Sequence, residues 1–273
     1  MKRAINYAPG RPSAILLALL PFALILLIYA IGSDVRLSDN PTDKLMPSFQ
    51  SFGEAMNRLA FEENKRTGEY VFWTDTAISL KRIFTGLGIA TVICILVGIP
   101  VGFLPYLRSL FGPFLAAFSL IPPLAVLPIL FIIFGLGETS KIVLIVFGVA
   151  PFLTRDVALA VAAIPREQIV KAQTLGASTW QMMTHVVFPQ VLPRLCDSLR
   201  LSLGATWLFL IASEAIASEG GLGYRIFLVR RYLSMDIILP YVMWITLLAF
   251  LMDYGLALAS RLGARWYHIG RGA

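Results

Sequence analysis

VKAQTLGASTWQMMTHVVFPQVLP, residues 170–193, is a polar, amphipathic stretch in a chain otherwise apolar enough to live in lipid. Of the 273 residues, 58% are hydrophobic and 14% charged, against roughly 25% charged in a soluble domain. Lipid as the main solvent accounts for that bias. The polar insertion, which lies between two apolar stretches, then decides what kind of membrane protein this is. Arg166 to Leu175 reads as a short helix, ended or bent by Gly176. Ser178 and Gln181 offer a capping box that opens a second helix, and Pro189 and Pro193 are expected to stop it near Phe188. Trp180, Met183 and Val187 recur at three- and four-residue spacing, which predicts one apolar face. Such a module can lie flat in the headgroups, cap its own bundle, or fill a groove on a partner.

Around it, six apolar stretches have about the 20 residues needed to cross a bilayer: 14–32, 84–104, 113–134, 141–163, 202–217 and 237–259. The first is too long for the 7–15-residue core of a signal peptide, so it reads as an uncleaved span. An even number of spans puts both ends on one side. Arg3 and Arg11, with Arg261, Arg265 and Arg271, lean that side toward the cytoplasm. The loop 33–75 weakens that lean with Arg36, Lys44, Arg58, Lys65 and Arg66. Within it, Phe49, Phe52, Met56, Leu59 and Ala60 approximate a helical face, to rest on the membrane or meet a partner. The third stretch carries Pro122, Pro123 and Pro128, each lacking a backbone donor. Broken backbone at membrane depth survives only against protein or a wet pathway. Gly98 and Gly102, four apart in the second stretch, permit close helix approach.

Soluble chemistry finds little support. Cys94 and Cys196 match no metal or redox spacing, and His185 and His268 are isolated, so no metal site is expected. The formal charge of +7 has no polar domain to carry a nucleic-acid face, and membrane lipid is its natural partner. GLGETSK, 135–141, lacks the spacing of a phosphate-binding loop. It reads as a short connection, with Lys141 as a snorkelling anchor.

Ala172, Gly176, Val186, Phe188 and Pro189 together resemble the cytoplasmic EAA loop of ABC-importer permeases, with Val186 and Phe188 in the Ile-x-Leu-Pro ending. Val170 and Lys171 depart from its acidic start. SLIPPLAVLPILFIIFGLGETSKI, KAQTLGAS, FPQVLP and ASEGGLGYRI are similar, in that order, to the permeases of the nitrate/sulfonate/taurine import group. TAISLKRIFTGLGIA resembles the segment that enters their core. The likeness spans about 75–258.

The resemblance implies an all-α membrane protein with about six transmembrane helices, a cytoplasmic coupling helix, and the type I ABC importer permease fold. Residues 1–75 would be an N-terminal span and outer loop. The permease core would cover 76–260, with the EAA-like loop at 166–195, and 261–273 would form a cytoplasmic tail in the inner membrane of a bacterium. It further implies a second permease copy, ATP-binding subunits docked below, and an extracytoplasmic solute-binding protein above. ATP and magnesium would then belong to the partner subunit, and this chain would hold no cofactor and no catalytic residue. Ala172, Gly176, Ala177, Ser178, Val186, Phe188 and Pro189 would seat the coupling helix.

Charges at membrane depth are costly and invite a functional question. Pro122, Pro123, Arg155, Trp207 and Glu214 are candidates for the pathway or a gate. Arg155 and Asp156 are neighbours that point about 100° apart. Glu214 follows TWLFLIAS, with Trp207 seven residues earlier on roughly the same face; Asp253 is a candidate structural group. The competing class is a self-sufficient ion-coupled carrier or channel, in which Asp156, Glu214 and Asp253 hold ions. The default cargo is a small anion or nutrient such as nitrate, a sulfonate or taurine.

Overall fold

A computed structural model describes residues 10–41, 43–64, 68–264 and 266–267. Arg3, Lys65, Arg66, Arg265, His268 and Arg271 lie outside them. The described residues are all-helical, and five helices are long and apolar enough to cross a membrane, or six if one bent pair counts as a span. In order these are α1 (Arg11–Asp39), the short α2 (Phe49–Ala60), α3 (Val71–Phe103), the bent pair α4 (Pro105–Phe118) and α5 (Pro123–Phe134), and α6 (Glu138–Ala162). The short α7 (Arg166–Thr174) follows, then α8 (Thr179–Ile216), the short α9 (Leu222–Arg230) and α10 (Met235–Gly263).

The apolar stretches all become helices, but three differ from their hydropathy profile. The expected span at 84–104 starts thirteen residues earlier, at Val71. Its first third carries Asp75, Ser79 and Arg82, which a hydropathy window rejects; all three are buried in the protein rather than exposed to lipid. The stretch 113–134 is two helices meeting at 94°. Pro122 is extended (φ −66°, ψ 116°) and Pro123 opens α5, where a missing N–H costs nothing.

The third difference overturns an expectation. Pro189 and Pro193 do not stop the helix that starts at Thr179; it runs on for 38 residues to Ile216. A π-helical turn at Met182–Val187 ends two positions before Pro189. The wider turn takes one amide out of the regular ladder, so a residue without an amide proton is accommodated there. Val191, Pro193 and Leu195 are then buried, and that packing offsets the break at Pro193. The expected fifth span, 202–217, is thus the C-terminal part of a much longer helix. A similar π turn, Cys94–Gly98, precedes Pro100 in α3.

Helix α6 is the centre of the bundle, packed against α3, α4, α5 and α8. Its Leu144, Ile145 and Leu153 are fully buried with Ile83 of α3 and Leu210 of α8. Gly98 and Gly102 allow the approach read from their spacing. A Cβ on Gly102 would lie 2.6 Å from the Ala158 carbonyl oxygen of α6, and one on Gly98 would lie 3.0 Å from that of Thr154. Gly148 of α6 lies against the ring of Phe209 in the same way.

The apolar window of α1 is not buried at all within the chain. Only its final third is held. Ser33 Oγ donates to the Met46 carbonyl (2.9 Å) and Tyr29 Oη to that of Pro47 (2.8 Å), while Arg36 pairs with Asp43. Helix α2 has the expected face only in part: Ala60 is buried with Ala55, and Met56 and Leu59 lie against the core, but Phe49 is 52% exposed. It packs on α3 and α10.

Chain direction alone gives the bundle two ends. One carries the start of α3, the α5–α6 connection, the end of α8 and α9; the other carries residues 163–178.

Candidate functional site

At the second end, the turn after α7 is built from its own backbone. Gly176 N–H donates to the Gln173 carbonyl (2.9 Å) and Ala177 N–H to that of Ala172 (3.0 Å). These two bonds make a Schellman ending, which needs a left-handed residue between them; Gly176 supplies it at φ +79°. One residue separates that turn from the next cap. The Ser178 N–H donates to Gln181 Oε1 (2.8 Å), and the Gln181 N–H donates to Ser178 Oγ (3.3 Å). The capping box read from the sequence is present.

The apolar face differs from the one predicted. Trp180 is 70% exposed, whereas Met182 and Val187 are buried and Met183 is half-buried. The π turn adds a residue to the register, which rotates Trp180 away from the others. Leu175 and Val170 are also exposed, while Ala172 is buried. The turn therefore follows a helix that buries Ala172 and presents three apolar side chains outward. Val186 and Phe188 are half-buried, and Pro189 is exposed.

At the opposite end lies an ionic cluster between α3, α6, α8 and α9. Glu214 is fully buried. Its carboxylate accepts from Arg82 Nη1 (2.7 Å), Ser79 Oγ (2.8 Å) and the Gly223 N–H (2.8 Å). Arg82 also donates to the Gly220 carbonyl (2.9 Å) and, through Nε, to Glu138 (2.7 Å). Asp75 accepts from the Gly221 N–H (3.0 Å), Arg225 Nε (2.8 Å) and Tyr241 Oη (3.3 Å). Gly221 sits at φ +121°, and a Cβ there would lie 2.5 Å from Glu214 Oε1. The loop 217–223 is therefore tied to α3 by two carboxylates and their cations.

The remaining candidates are spread between the two ends. Trp207 is 4% exposed, and its Nε1 is a buried donor without a partner. Arg155 is exposed, with Nη1 3.5 Å from Ser119 Oγ at the bend after α4. Pro122 is exposed and Pro123 half-buried at the same bend. Asp156 does not pair with its neighbour but with Arg194 (3.0 and 2.9 Å) and Ser198. Asp253 of α10 is held by Arg200 of α8 (2.8 and 2.9 Å). Lys141 does not snorkel: it is buried beside Glu138. No group of three metal-ligating side chains occurs among the described residues.

Sequence reasoning named Glu214 but missed Asp75, Ser79 and Arg82. Their spacing of four and three residues on one helix face in an apolar stretch was the available signal.

A family model described as binding-protein-dependent transport system inner membrane component matches residues 83–262. The taurine transport system permease protein TauC of Escherichia coli (strain K12) is 36% identical over 195 residues, 71% of each chain. The bicarbonate transport system permease protein CmpB of Synechococcus elongatus is 34% identical, over 70% of this chain and 69% of its own. Among solved structures, a bacterial ABC transporter involved in alginate import superposes with a TM-score of 0.62 at 15% identity, covering 92% of this chain and 96% of its own. An inward-facing MetNI methionine ABC transporter gives 0.60 at 21% identity, covering 73% and 99%. At those identities the structures speak for the fold.

Proposed function

The chain belongs to the binding-protein-dependent transport system inner membrane components, and from that premise we propose that it couples the passage of a small anion or organic nutrient to ATP hydrolysis in a separate subunit. It is a multi-pass inner-membrane permease subunit of an ABC importer. The observation that carries the coupling assignment is the outward-facing turn at 175–180. A backbone-locked Schellman ending, a capping box and exposed Leu175 and Trp180 make a rigid apolar knob. A helix end of that kind fits a groove on a partner protein.

In this reading Ala172 anchors the knob to its own bundle, and Gly176, Ala177 and Ser178 shape it. Val186, Phe188 and Pro189 carry it into the body of α8. The partner is the ATP-binding subunit, which supplies ATP and magnesium chemistry; this chain is not an enzyme. A solute-binding protein delivers cargo to the opposite end, and a second permease copy completes the pathway. The knob and both termini then face the cytoplasm. Arg155, Pro122 and Pro123 border the pathway at the broken span, while Glu214 and Trp207 shape it from behind. Relatives whose names specify taurine and bicarbonate support a small anion or amphoteric nutrient as cargo.

Co-purification of the tagged chain from its host in mild detergent tests this. An ATP-binding subunit is expected to accompany the wild-type chain and to be lost when Leu175 and Trp180 are replaced by Ser. A chain that moves substrate down an ion gradient without such a subunit would overturn it.

A further inference from the structure

Beside the ionic cluster, on the end opposite the knob, lies a cavity of about 790 Å³. Lys81, Arg82, Gly137, Glu138, Lys141 and the segment 216–220 line it. We infer that this cavity is an anion-holding site, in which the Glu138 carboxylate occupies the place of a substrate's anionic group.

Charge balance is the first ground. The side chains of Arg82 and Lys141 are 4% and 3% exposed, and that of Glu214 is fully buried. Once Asp75 is set against its own partner Arg225 (2.8 Å), the two buried cations face one buried anion, and the positive charge left over is penalised heavily in a low-dielectric site. Glu138 supplies the missing charge, yet its side chain is 61% exposed. It is the one carboxylate of the group that can swing into solvent without crossing packed protein. Lys81 and Glu219 at the rim are opposite in sign and cancel.

Coordination is the second ground. The Lys141 ammonium has three donors, but its contacts are long: 3.5 Å to Glu138 Oε1 and 3.4 Å to the Leu136 carbonyl. Charge-assisted hydrogen bonds run at about 2.7–2.9 Å. A buried cation is thus loosely held at the wall of an open cavity. The first turn of α6 opens on the same space with no side chain capping it, and its free amides favour an anion.

An entering monoanion that displaces Glu138 conserves the charge of the site. The exchange buries no new charge, so the anion can both enter and leave. A cation or a dianion upsets the balance. The inference rests on the importer reading and gives its pathway a first station.

The test uses the full-length chain in nanodiscs of phosphatidylcholine, following the thermal unfolding midpoint at fixed ionic strength. Methanesulfonate, nitrate and bicarbonate are titrated in turn, with methylammonium as the cationic control. At least one of the anions is expected to raise the midpoint saturably, and methylammonium to leave it unchanged. Glu138→Gln removes the resident competitor and should tighten the anion response about tenfold. Lys141→Met should abolish it and Lys141→Arg retain it. If Lys141→Met does not fold, Glu138→Gln decides alone, and an unchanged or weakened response overturns the site. Loss of the response in phosphatidylglycerol nanodiscs would identify a lipid headgroup as the occupant and overturn the station. A midpoint that moves with a solute-binding protein but with none of the anions would also overturn it. ATP-dependent uptake by the assembled transporter is measured in parallel. Uptake without any anion response sinks the anion site alone, whereas absence of ATP-dependent uptake counts against the importer reading.

Discussion

Gly176 and Glu214 show how differently single residues reveal themselves. Gly176 stands at φ +79° with no atom within 4 Å of where a Cβ would be, so its requirement is backbone conformation, not space. A Val there costs roughly 1–2 kcal/mol of left-handed strain, and Asn, which tolerates that region, costs less. Gly176→Val is expected to abolish ATP-dependent uptake in proteoliposomes while Gly176→Asn retains a substantial part. Equal uptake by both variants would remove the turn from the coupling mechanism. Glu214 is the opposite case. Glu214→Ala leaves Arg82 buried with only Glu138 as a charged partner, a change of the kind that costs about 3–5 kcal/mol. A large fall in the thermal midpoint is expected. An unchanged midpoint would mean that water reaches Arg82.

The turn and its cap were legible because their partners lie within six residues of one another. The carboxylate clamp was not: Glu214 meets Arg82 across 132 positions, and nothing local in either segment announces the other.

Among the helices, hydropathy found every span and misplaced the ends of two. The first third of α3 and the middle of α8 carry ionic groups that meet protein partners, and a window average cannot distinguish such groups from solvent-facing ones. The prolines of α8 misled for a related reason, since a π turn absorbs what an ideal ladder cannot. The glycine seam between α3 and α6 was read correctly from its four-residue spacing, and it gives a graded test. Gly102→Ala forces Cβ against the Ala158 backbone and is expected to cost about 1–3 kcal/mol. Gly88→Ala, on the same helix with open space around it, should be within about 0.5 kcal/mol of wild type. Comparable losses of midpoint for the two would show that the seam is looser than its geometry.

The whole molecule is a bundle with different chemistry at its two ends, and α8 runs from one to the other. At 38 residues and 1.5 Å per residue it is roughly 57 Å long, so Trp180 at the knob and Glu214 at the ionic cluster share one rod. The orientation proposed above makes a direct prediction. A Cys replacing Ala177 should react with membrane-impermeant maleimide only in inverted vesicles, and one replacing Glu219 only from outside intact spheroplasts. Cys94 is buried and Cys196 half-buried, and both would be replaced by Ser beforehand. An exchange of the two sides would reverse the topology, and labelling of both positions from one side would break it.

The distance in sequence between Arg82 and Glu214 also sets a schedule for assembly. A ribosome adding about 5–20 residues per second needs roughly 7–26 seconds to extend the chain from one to the other. During that interval α3 has been made, but its Asp75–Ser79–Arg82 face has neither Glu214 nor the 217–225 loop to meet. Lipid is a poor host for that face, so the nascent helix must wait at the water boundary or against the insertion machinery. The clamp that locks the finished permease can thus close only after α8 and the loop behind it have been made.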